Sequence, residues 1–146
     1  MAVFFSKKDM ADLLVTAWEG GSNYWVEVAE YKAPKGMSWK RLLKLAWETI
    51  PQEERDLWEK PDGVPFYSMM AYLPPSVKWK VKFTPNEVVK EEGEAYYLTP
   101  ENMRAAAPKL AEKYPHIFAR IKDENYDAGD ADAWLQMAIF GDVIFG

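Results

Sequence analysis

The chain of 146 residues has no cysteine and a single histidine. The first absence excludes disulfides, thiolate zinc sites and a cysteine nucleophile, and fits a reducing compartment. The second leaves His116 without an imidazole partner, which argues against a histidine-rich metal site and favours a packing or surface role for that ring. No run approaches the ~18 apolar residues that a membrane-spanning helix needs. The opening Met1 to Asp9 has no basic segment leading into a long apolar core, so neither export nor membrane insertion is expected. There is no glycine-rich loop ending in Lys-Ser/Thr to cradle phosphates, and no serine in a nucleophile elbow. Catalytic residues, cofactors and metal ligands are therefore expected to be none.

What remains fits one soluble domain, because a chain of this length buries about 68–70% of its unfolded surface. The net charge of −5 is uneven: residues 1 to 90 are near balance, and the acidity lies in residues 91 to 146. That surface disfavours nucleic acid as a partner, since phosphate neutralisation supplies much of such affinity. Seven tryptophans are many for this size. Core packing is their common use, and an aromatic contact surface is the alternative.

Hydrophobic spacing gives the elements. Ser6 caps a first helix over residues 6 to 19, in which Met10, Leu13, Leu14, Ala17 and Trp18 form one face. The Gly20-Gly21 pair is expected to stop it through a positive backbone angle. Tyr24 to Tyr31 reads as a strand. A second helix begins at Ser38, and a short one restarts after Pro51. Pro61-Asp62-Gly63 signals a turn. Phe66 to Leu73 and Val77 to Phe83 read as two strands, the second alternating Val77, Trp79, Val81 and Phe83 with Lys78, Lys80 and Lys82. Tyr96 to Leu98 suggests another strand, and Thr99-Pro100 starts a helix that Pro108 should kink or break. A short piece runs from Pro115 to Lys122. The last helix, Asp132 to Phe140, is apolar nearly all round apart from Gln136 and must be buried. Together these predict a single α+β domain, with an antiparallel sheet of about three to five strands centred on residues 64 to 83 and packed against the first, second and last helices.

The segment Glu19-Gly20-Gly21-Ser22-Asn23-Tyr24-Trp25 is the leading candidate for a ligand or partner site. Asn23 offers an amide, Trp25 a stacking face and Glu19 a charge, with Ser22 and Tyr24 beside them. A helix stop followed by a strand explains the glycines fully, and Ser22 and Asn23 only in part. Lys78, Lys80 and Lys82 could bind an anion, although a guarded sheet face explains them too. Asp123, Asn125 and Asp127 match the opening of a calcium loop, but glycine falls one place late and Trp134 stands where a bidentate Glu belongs. Helix capping explains Asp130 and Asp132. Paired carboxylates such as Glu19 with Asp130 or Asp132 leave a hydrolase open without indicating one.

The segment Glu19 to Trp25 and the closing run Asp130 to Gly146, with its Leu135-Gln136 and its Phe140-Gly141 and Phe145-Gly146 pairs, resemble a group of small uncharacterised bacteriophage and prophage proteins. Lys109 to Phe118 is similar as well. The resemblance implies a phage or prophage gene whose product acts in the host cytoplasm. It points to an accessory, non-enzymatic binding protein for a host protein or small molecule. A counter-defence protein that sequesters a nucleotide signal is the first alternative. The apolar closing residues Val143 to Gly146 must pack on the body or on a partner, and a homo-oligomer is also open.

Overall fold

The computed structural model describes residues 3–58, 66–85 and 96–145. Ser6 accepts the Asp9 N–H at 3.0 Å and opens α1 (Lys7–Thr16), which buries Met10, Ala11, Leu13 and Leu14. The helix widens into a π-helical turn (Ala17–Gly21), closed by the Ser22 N–H on the Ala17 carbonyl at 2.9 Å. Strand β1 (Val26–Lys32) follows, then α2 (Trp39–Thr49) capped by Ser38, and α3 (Gln52–Trp58). The expected turn at Pro61-Asp62-Gly63 lies outside the described residues.

Two expectations need correction. Phe66 to Leu73 is not a strand: residues Phe66–Tyr72 form α4, which packs between α1 and α2. Ser68 to Leu73 are buried without interruption. A continuous apolar run does not reveal its period, and Met and Ala tip it toward helix. The sheet is accordingly not centred on 64 to 83. It comprises β1, β2 (Lys80–Pro85) and β3 (Tyr96–Leu98) among the described residues, antiparallel in the order β1-β2-β3. The second correction concerns the break expected at Pro108: α5 (Pro100–Lys113) runs through that residue uninterrupted. The Pro108 ring is exposed, so it takes no place in the core, and the helix forgoes only the one hydrogen bond that proline cannot donate.

Register sets the two faces of the sheet. Ala29 opposes Phe83, Tyr31 opposes Val81, and Val81 opposes Leu98, all on the inner face. Glu30 opposite Lys82 and Lys32 opposite Lys80 form the outer face. After α5, Pro115 starts α6 (Pro115–Lys122). The last helix, α7 (Ala128–Phe140), begins earlier than its apolar run because Asp127 and Asp130 form a reciprocal capping box. Ala131 to Ala138 of α7 are all buried. The helix packs against α1, the π-turn, β3, α5 and α6.

Candidate functional site

The π-turn meets the first turn of α7 at close range. A Cβ added to Gly21 would lie 2.5 Å from the Ala128 carbonyl oxygen. Gly21 is therefore required by this approach, because any side chain would push the two backbones apart. The expected positive angle is absent from both Gly20 and Gly21; among the described glycines it occurs at Gly36 and at Gly141, which ends α7.

This approach delivers the polar groups of residues 22 to 25 to one carboxylate. Asp132 of α7 is 5% exposed and accepts four hydrogen bonds. Ser22 Oγ and Trp25 Nε1 donate to Oδ1 at 2.8 and 2.7 Å. Tyr24 OH and Gln136 Nε2 donate to Oδ2 at 2.6 and 2.8 Å. None of the four is a cation, so neutral donors alone replace the water that burial removes. A carboxylate needs that many partners to be tolerated in the interior. Partial burial, reinforced by the Asp132 carboxylate, pushes the Tyr24 phenol up to about 12.

The candidate segment thus divides. Ser22 and Trp25 are buried and face inward, and Tyr24 reaches inward with its hydroxyl while half its surface stays exposed. Glu19 and Asn23 remain outside. Glu19 accepts the Tyr67 OH at 2.6 Å, and Tyr67 stacks on Trp18 at 5.3 Å with an interplanar angle of 10°. Burial first and Glu19 second raise the Tyr67 phenol to about 12. The Asn23 side chain is exposed and makes no hydrogen bond among the described residues. It stands at the rim of a cavity of about 50 Å³ walled by Ala17, Trp18, Val26, Ala29, Phe83 and Leu135.

The other candidates are engaged elsewhere. Lys78 lies before β2 and pairs with Glu101 at 2.6 Å. The Lys80 ammonium sits 4.8 Å from the centre of the Tyr97 ring, and Lys82 faces Glu30 across the strands. The three therefore do not converge on one point. Asp130 is held by Arg120 through bonds of 2.7 and 2.6 Å, and this guanidinium is the chief cause that keeps its carboxyl below the usual range. Asp127 caps α7 and Asp123 ends α6, and no cluster able to hold a metal occurs among the described residues. Glu19, Asp130 and Asp132 each have their own partners. His116 is exposed.

Sequence reasoning passed over Tyr67 and the role of Gln136. The second had a signal, since a lone polar residue on an otherwise apolar, buried helix must find internal partners. No protein-family model, curated protein or solved structure matches this chain.

Proposed function

We propose that the protein is a non-enzymatic accessory binding protein of phage or prophage origin, acting in the host cytoplasm, and that it captures a host protein through the surface around Asn23. The observation that carries this reading is the Asn23 amide, without a hydrogen bond among the described residues, at the rim of the small apolar cavity. A cavity of about 50 Å³ is far below the roughly 300–1,000 Å³ typical of small-molecule sites. It suits one short aliphatic side chain projecting from a partner surface. Each methylene so buried contributes about 0.8 kcal/mol. The Asn23 amide carries both donors and an acceptor, and so matches the main chain beside such a side chain. Glu19 and the Trp18–Tyr67 stack continue the surface as a polar and aromatic rim. The nucleotide-sequestering and hydrolase alternatives draw less support, because the lysines are dispersed and the carboxylates are separately engaged.

The test is capture from host lysate on the immobilised chain, scored by mass spectrometry, beside native mass spectrometry of the purified protein. Asn23→Ala and the cavity-filling Ala29→Leu should each reduce retention of a discrete host protein by about tenfold, the equivalent of about 1.4 kcal/mol. Equal retention by wild type and both folded variants would overturn the reading. A small bound mass lost on either substitution would move it to a small-molecule ligand.

A further inference from the structure

Beyond the Asn23 surface, we propose that residues 142–145 are a displaceable strap lying in a preformed peptide groove, and that an extended segment of a partner protein carrying an aromatic side chain takes its place. Gly141 ends α7 in the left-handed conformation, with φ 77°, and turns the chain back along the helix. Gln136, fully buried, then reads the returning main chain. Its Oε1 accepts the Ile144 and Phe145 N–H groups at 2.8 Å each, and its Nε2 reaches the Phe145 carbonyl at 3.2 Å. Tyr24 OH reaches the same carbonyl at 3.2 Å. The Phe145 ring stacks on Trp25 at 5.2 Å with an interplanar angle of 6° and meets Phe140 edge-on at 6.0 Å.

Every one of these polar contacts goes to a main-chain atom of the strap, and the aromatic slot takes a single ring. Ile144 between them is 42% exposed. Recognition of this kind specifies an extended backbone and one aromatic residue, the usual terms of peptide docking in which main-chain bonds hold and pockets select. The groove does not depend on its present occupant. Trp25 Nε1 and Gln136 Nε2 are both fixed by Asp132, at 2.7 and 2.8 Å, so the ring face and the amide stay in place when the strap leaves. Such preorganisation removes much of the ordering cost of binding.

The strap itself is lightly held. Its ties at the hinge run from Asp142 to Lys113 and Tyr114, and the Lys113 and Asp142 side chains are 51% and 42% exposed. Exposed pairs contribute little. A segment without regular structure, held by a few bonds and one ring, opens at lower free energy than the helix beneath it.

Hydrogen exchange on the intact chain reads this directly. The Ile144 and Phe145 amides should exchange at least about 100-fold faster than those of Met137 and Ala138, as expected for local rather than global opening. Equal protection would overturn the proposal. The second arm uses a labelled peptide of sequence Asp-Val-Ile-Phe-Gly, that of residues 142 to 146. It should bind Phe145→Ala saturably and at least about tenfold more tightly than the intact chain, because the internal competitor is weakened. The same peptide with alanine for phenylalanine should not bind. Absence of saturable binding to a folded Phe145→Ala variant overturns the proposal. So does failure of that variant to fold, which would make the ring a required part of the core. Neither arm involves Asn23, so the host-protein reading stands or falls separately.

Discussion

Replacing Asp132 by alanine asks whether this buried carboxylate holds the fold together or is held by it. Four donors lie 2.6–2.8 Å from its oxygens. Tyr24 OH and Gln136 Nε2 keep an alternative acceptor in the Phe145 carbonyl. Ser22 Oγ and Trp25 Nε1 have no other acceptor among the described residues, and both residues are buried, at 2% and 1% exposure. Each donor left unsatisfied costs about 1–3 kcal/mol. Against this stands relief of the carboxylate's own desolvation, which costs several kcal/mol. Hydrogen bonds to a charged group contribute about 1.5–3 kcal/mol each, so four of them exceed that relief. A net loss of about 3 kcal/mol is expected, a large share of the roughly 5–15 kcal/mol that a domain possesses.

Urea unfolding followed by far-ultraviolet circular dichroism checks it. With a slope of about 2 kcal/mol per molar, the midpoint should fall by about 1.5 M. Asp132→Asn should lose less: its carbonyl can still serve Ser22 and Trp25, while its amide meets the Gln136 amide donor to donor. A double-mutant cycle with Trp25→Phe should return a coupling of about 1–2 kcal/mol. An unchanged or raised midpoint in Asp132→Ala would refute the reasoning. A gain in stability is the mark of a residue retained for function at the fold's expense.

Gly21→Ala should lower stability by about 1–3 kcal/mol through overpacking, since its Cβ would meet the Ala128 carbonyl at 2.5 Å, whereas Gly20→Ala has nothing within 4 Å and should be neutral or slightly stabilising; paired thermal melts decide, and equal effects would refute the close approach. Tyr24, Tyr31 and Tyr67 are each raised from 10.0 to about 12, with burial as the first cause. Protonated phenols are thus favoured by folding, so the stability they contribute is complete below pH 10 and is lost as pH rises from 10 to about 12. Absorbance titration of tyrosinate should show a late-ionising group of tyrosines, reduced in Tyr24→Phe; ionisation of all native tyrosines near 10 would count against it.

The starts of α1, α2 and α5 were readable because their causes are local. Ser6, Ser38 and Thr99 each accept the N–H three residues on, as their positions before apolar runs imply. The αL glycine after α7 belongs to the same class. Strand β2 was legible from its alternation, although pairing begins only at Lys80. Residues 66 to 72 were not, because the unbroken burial of Ser68 to Leu73 leaves no polar face to reveal the helical period. The π-turn was also hidden: its close approach to the first turn of α7 at Gly21 is a contact that no local pattern announces. Least legible was the meeting of Ser22 with Asp132 across 110 positions of sequence. The polar-aromatic character of Ser22 to Trp25 was visible, but its direction depends on which face of α7 the turn approaches.

That direction limits which variants can speak to binding. Trp25 is both the most conspicuous aromatic residue of its segment and a buried donor to Asp132. Replacing it damages the fold and any contact surface together, and loss of capture would then mean nothing. Asn23 and Phe145 are free of this ambiguity in different ways. Asn23 has no internal hydrogen bond among the described residues to lose, and Phe145 gives up one ring while the Gln136 bonds to its main chain remain. Asp132 lies between them, fixing Ser22 beside the Asn23 cavity on one side and Trp25 with Gln136 beneath the strap on the other. Its loss should therefore impair both surfaces at once, whereas Asn23→Ala and Phe145→Ala should each change one and spare the other.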